Sequence, residues 1–135
     1  MFRQLVIGIG VSVLVVGCDS STDPTVEDVA GSYSASAFVT TTNGVNTDEL
    51  SRGATLTLVL SSSGSVTGHL HIPADNISPT LDADMAGTWA LSGRTVTFTQ
   101  TADTFIRNMS FGFVHGTLNG DRTFGTTRVQ LLLSR

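Results

Sequence analysis

"GTWALSGRTVTFTQ", residues 87–100, carries the pattern that decides the fold. Trp89 and Leu91 alternate with Thr88, Ala90 and Ser92, and beyond Ser92-Gly93, Val96 and Phe98 alternate with Thr95, Thr97 and Thr99. A period of two puts each set of side chains on its own face of a strand, and a small-residue pair between two such runs supplies the positive φ of a tight hairpin. The stretch therefore predicts an antiparallel hairpin with one apolar face and one wet face. The pattern recurs on both sides of it. Tyr33, Ala35, Ala37 and Val39 share one parity, as do Leu56, Leu58 and Leu60, then Val66, Leu70 and Ile72, then Met109, Phe111 and Phe113, and last Val129, Leu131 and Leu133. Asn43-Gly44, Ser63-Gly64 and Asn119-Gly120 are the other expected turns.

Hairpins joined in sequence make an up-and-down meander. The fold class expected is all-β: about eight antiparallel strands in a single domain over residues 29–135, closed into a small barrel because closure removes exposed sheet edges. A two-sheet β-sandwich is the alternative. Parity places Leu58, Trp89, Phe98, Phe111, Phe113 and Leu131 in the core and His69, His71 and Thr97 outside. Tracing the meander puts the long connections near 42–53 and 73–86 at the end opposite residue 30. Tyr33, Trp89, Arg94 and His115 then fall at the other, closed end, with Arg94 packed on aromatics as its floor.

Residues 1–17 have the layout of a secretory signal: Arg3, then the apolar run "LVIGIGVSVLVV" from Leu5 to Val16, then the small Gly17. This stretch, twelve residues long with Gly8 and Gly10 among them, falls short of the roughly 20 apolar residues that a spanning helix needs. Val15-Val16-Gly17-Cys18 resembles the lipobox of bacterial lipoproteins. The resemblance implies lipidation of the Cys18 thiol and cleavage before it. Cys18 is the only cysteine, so it has no disulfide partner, and its remaining use is as a nucleophile for an acyl donor. Two or three acyl chains, at about 0.8 kcal/mol for each buried methylene, hold a protein to a membrane nearly permanently. The expected location is the bacterial cell envelope, periplasmic or outer-membrane associated, with the membrane as partner through Cys18. "DSSTDPTVED" over 19–28 is small, polar and acidic, so residues 18–28 read as the lipidated cysteine and a flexible tether.

Composition excludes whole classes of chemistry. The chain has no lysine, hence no P-loop lysine, no Schiff-base enzyme and no lysine general base. Once residues 1–17 and Arg3 with them are removed, six arginines face eleven carboxylates, a net charge of about −5 that leaves no electrostatic footprint for nucleic acid. There is no Gly-x-Ser-x-Gly elbow. No cofactor motif is present, and the expectation is that the protein is not an enzyme.

"VAGSY" at 29–33 and "GTWALSGRTVTF" at 87–98 resemble small bacterial lipocalin-like lipoproteins, mostly of unassigned function. That resemblance implies a barrel closed at one end with a loop-rimmed mouth at the other. It departs from the lipocalin pattern in that Gly31-Ser32-Tyr33 carries tyrosine where the first-strand motif has tryptophan.

Two groups invite a metal reading. His69 and His71 share a strand face, and His115 would be a third ligand, but His115 has the parity of Phe111 and Phe113, so the three are expected on opposite faces. Asp75, Asp82 and Asp84 lie in a stretch read as a solvated loop without EF-hand spacing. No metal site is expected. The polar residues of inward parity say more: Arg94 and Gln100 alternate with Val96 and Phe98, and Arg107 with Met109 and Phe111. The candidate ligand site is therefore Phe98 and Phe111 for an apolar body, with Gln100 and Arg107 toward the mouth and any acidic head near Arg107. The functional expectation is a lipid-anchored barrel that binds a small apolar or amphipathic ligand. The alternative is a non-catalytic structural or protein-interaction domain with a filled barrel.

Overall fold

The computed structural model describes residues 22–135, so the signal segment and Cys18 lie outside the described residues. A short helix α1 (Val26–Val29) precedes nine strands: β1 (Gly31–Thr42), β2 (Val45–Asp48), β3 (Thr55–Leu60), β4 (Ser65–Ile72), β5 (Leu81–Ser92), β6 (Thr95–Gln100), β7 (Phe111–Val114), β8 (Thr117–Phe124) and β9 (Thr127–Ser134). All pairings are antiparallel and run β2-β1-β3-β4-β5-β6-β7-β8-β9, and β9 pairs back onto β1. Eight strands thus form a closed barrel, with β2 an extra strand on the upper half of β1. Closure through β1 and β9 rules out the two-sheet alternative.

Period-two alternation does what it should in β3 and β6, where every second residue is buried: Leu56, Leu58 and Leu60, then Val96, Phe98 and Gln100. All six residues expected in the core are buried, Thr97 is exposed, and Leu70 is buried between the partly exposed His69 and His71. In β1 the alternation breaks. Ser36 forms a β-bulge between Ala35 and Ala37, its Oγ donating to the Leu132 carbonyl. The extra residue flips the parity, so Phe38 enters the core while Ala37 and Val39 turn outward.

Turns at Asn43-Gly44, Ser63-Gly64 and Ser92-Gly93 stand where expected, but Asn119-Gly120 is mid-strand in β8. Its glycine answers a packing need: a Cβ on Gly120 would lie 2.6 Å from Phe111 Cε1 and 2.9 Å from Met109 Cε. The β7–β8 turn is His115-Gly116, where tracing the meander on sequence also places a hairpin, with φ of 48° and 77°, both in the left-handed region that tight hairpins require. His115 is accordingly exposed, against the inward position its parity implied.

The lower end of the barrel is closed. Residues 25–29, mostly assigned to the tether on sequence, form α1 through a capping box between Thr25 and Asp28, and Val29 is fully buried. The Tyr33 hydroxyl donates to the Val29 carbonyl, and Trp89 Nε1 donates to the Ser61 carbonyl at 2.8 Å. The floor arginine is Arg135, whose guanidinium lies 5.5 Å from both the Tyr33 and Phe113 ring centroids and donates to the Asp28 carbonyl. Arg94, expected there, sits in the β5–β6 turn, exposed, 4.0 Å from Asp23. Connections 73–80 and 101–110 lie at the opposite end, as the meander requires.

Candidate functional site

The barrel wall is uneven. β4 and β5 pair over eight residues, from Ser65↔Thr88 to Ile72↔Leu81, whereas β6 and β7 pair only at Thr95↔Gly112 and Val96↔Phe111. β7 is short and stays in the lower half, where Phe111 faces Gly120 of β8. Above that level, residues 97–100 of β6 and 121–124 of β8 have no strand between them. Segment 101–110 fills the seam with side chains. Its 3₁₀ turn, Phe105–Asn108, buries Ile106 completely, and the Phe105 ring packs 5.9 Å from Phe38 and 6.3 Å from Phe124. Arg122 Nη1 donates to the Asn108 carbonyl while its guanidinium lies 5.1 Å from the Phe124 ring centroid, pinning the segment from outside.

Three of the four residues singled out on sequence meet beneath this segment. The rings of Phe98 and Phe111 are edge-to-face at 5.6 Å. Gln100, two residues above Phe98 on the same face, is 8% exposed, and among the described residues neither its Oε1 nor its Nε2 has a hydrogen-bond partner. It stands opposite Gly87, where β5 and β6 run so close that a Cβ would fall 1.9 Å from the Thr99 carbonyl oxygen. Thr104, also buried, spends its hydroxyl on Met85 Sδ at 3.6 Å.

The fourth residue, Arg107, stands apart. It belongs to the 3₁₀ turn rather than to a strand, so alternation does not govern it, and its Nη2 donates to Asp103 Oδ1 at 2.7 Å with the side chain 35% exposed. Its charge is already met at the surface.

Sequence reasoning missed a second polar group on the outer wall. β5 begins at Leu81, so Asp82 and Asp84 lie on a strand and not in a loop, in register with His71 and His69. His69 Nδ1 is 2.7 Å from Asp84 Oδ1 and its Nε2 2.8 Å from Asp82 Oδ1, while His71 Nδ1 is 3.1 Å from the same Asp82 oxygen. Hydrogen bonds to the carboxylates of Asp84 and then Asp82 raise the His69 pKa, and those accepted from His71 and His69 lower that of Asp82. The readable signal was His-x-His followed by Asp-x-Asp, two period-two pairs across one hairpin. Both His69 ring nitrogens are taken up by carboxylates, and among the described residues no group of three or more His, Cys, Asp or Glu is arranged to hold a metal ion.

No protein-family model, curated protein or solved structure matches this chain. Function must therefore be argued from the site. Besides the seam, the outer wall of β8, β9 and β1 carries a groove of ≈ 400 Å³ whose lining includes Ala37, Val39, Asn119, Asp121, Gln130 and Leu132. The Ser36 bulge is what turns Ala37 and Val39 toward it.

Proposed function

We propose that this protein is a non-enzymatic lipoprotein of the bacterial cell envelope, held to a membrane through acylated Cys18, whose lipocalin-like barrel binds a small amphipathic ligand at the seam between β6 and β8. One observation carries the ligand reading: the carboxamide of Gln100 is more than nine-tenths buried and has no partner among the described residues, whereas the other buried polar side chains, Glu49 and Thr104, are bonded. A buried polar group left unpaired costs about 1–3 kcal/mol. Such a group persists in functional sites, where a ligand satisfies it. Phe98 and Phe111 offer the apolar surface beside it, and the break in the β6–β7 ladder offers a way in.

The anchor and the ligand are tested separately. Full-length protein made in a bacterium partitions into detergent, and Cys18→Ser releases it or leaves it unprocessed; partitioning unaffected by that change contradicts the anchor. For the ligand, short amphiphiles titrated against labelled protein should shift the Phe98, Gln100 and Phe111 resonances saturably, and shifts elsewhere alone contradict the site.

A second reading, a filled barrel that serves protein interaction, has its own support. An eight-stranded barrel is small enough for side chains alone to fill. Here Phe111 and Met109 reach the backbone at Gly120, and the outer groove supplies a contact surface.

A further inference from the structure

We infer that the seam site is selective for a neutral head group that offers a hydrogen-bond donor and acceptor side by side, such as a primary amide, a lactam or a protonated carboxylic acid, and that it rejects anions. This inference rests on the ligand reading above and names the chemistry of that ligand.

Gln100 sets the requirement. A carboxamide presents one acceptor oxygen and two donor hydrogens in a fixed plane, and here both ends are unpaired. A carboxylate or sulfonate supplies only acceptors. It would meet Nε2, leave Oε1 unpaired, and bring a charge into an apolar interior. The cations near the mouth do not offset that cost. Arg107 is held by Asp103 at 2.7 Å, and Arg122 is committed to the Asn108 carbonyl and the Phe124 face. Arg52 is likewise occupied, lying 3.7 Å from Glu49, the buried carboxylate at the same end that also accepts from Thr40 Oγ1 at 2.7 Å. A head that donates to Oε1 while accepting from Nε2 pairs both ends of the carboxamide at once. The apolar body then lies toward Phe98 and Phe111, where Ile106 and Phe105 must give way.

The test uses three six-carbon-scale probes on the full-length, nitrogen-15-labelled protein in lipid nanodiscs: hexanamide, hexane-1-sulfonate and methyl pentyl ether. The readouts are the Gln100 side-chain amide resonances and the saturation curve of each probe, for wild type, Gln100→Met and Arg107→Gln. Hexanamide should bind wild type about tenfold or more tightly than the other two, the effect expected of one net hydrogen-bond pair. Gln100→Met, which keeps the length of the side chain and removes its polar atoms, should reduce hexanamide to the affinity of the ether. Equal affinity for hexanamide and ether in wild type, with Gln100 already bonded to an internal water, overturns the proposal. Preference for the sulfonate, lost in Arg107→Gln, overturns it too but leaves the seam a ligand site. If no probe saturates, the ligand reading falls with it and the interaction domain replaces both.

Discussion

The two walls of this barrel are built from the same kinds of residue and do different things. Between β4 and β5 an eight-residue ladder runs unbroken, with Val66, Leu70 and Met85 buried behind it. Between β6 and β7 the ladder stops after two pairs, and the gap is closed by packing of Phe105 and Ile106 from a non-strand segment. Ladder hydrogen bonds close a wall along its whole length, and opening it anywhere exposes backbone groups that need partners. A segment held mainly by side-chain packing, with Thr101 N–H to the Ala86 carbonyl as its backbone tie to β5, is released by far less. Uneven closure thus distinguishes the two walls without any change in fold, and the unpaired amide lies on the side with the interrupted ladder.

The sharpest way to break the comparison is to cut the core on each side. Leu70→Ala, behind the continuous wall, should destabilise by about 2–5 kcal/mol in urea unfolding, the usual cost of a buried cavity that cannot collapse. Phe105→Ala should cost less, about 1–3 kcal/mol, because the ring is only partly buried and the segment can settle, and it should increase exchange of amides in 101–110 while leaving those of β4 and β5 protected. Equal costs with equal effects on exchange would erase the difference between the walls.

Gln100→Met should go the other way. Removing two unpaired polar atoms from the interior should stabilise the unliganded protein by about 1–2 kcal/mol, read as a higher midpoint in urea. A lower midpoint would mean that the carboxamide is satisfied in solution.

The smallest effect belongs to the outer ladder on the scaffold side. His69 has its pKa raised by Asp84 and Asp82, so its contribution to stability is complete below its unfolded value of about 6.5 and disappears as pH rises through the higher folded value. Asp82 has its pKa lowered, so its contribution is present above the unfolded value of about 3.9 and disappears as pH falls through the lower folded one. Both groups are exposed, which keeps the effect small. His69→Asn should flatten the decline in melting temperature above neutral pH, and an unchanged slope would show that the ladder does not couple to folding.

Most of the barrel was legible because period two is a strong signal wherever one face is buried: β3, β6 and β9 read correctly residue by residue. Two of the failures come from packing against a neighbouring strand. Phe38 escaped because a bulge at Ser36, fitted to β9, reverses the parity of β1. Asn119-Gly120 has the local chemistry of a turn, yet Gly120 is there to admit Phe111 and Met109. The floor went to Arg135 rather than Arg94 because the turn at Gly93-Arg94 takes that side chain into solvent. Of the candidate site, the buried positions of Phe98, Gln100 and Phe111 followed from alternation. Arg107 did not, although Asp103 four residues earlier marks it as the partner of a local ion pair. The seam itself left no signature, because a ladder that ends after two pairs looks the same in sequence as one that continues.

Native-state hydrogen exchange across the described chain addresses that seam most directly. Amides of residues 101–110 should exchange through an opening whose free energy is well below that of global unfolding, while the ladder amides of β4 and β5 should exchange only on global unfolding. If residues 101–110 are as protected as β4 and β5, the wall is closed equally all round and the seam is no way into the barrel.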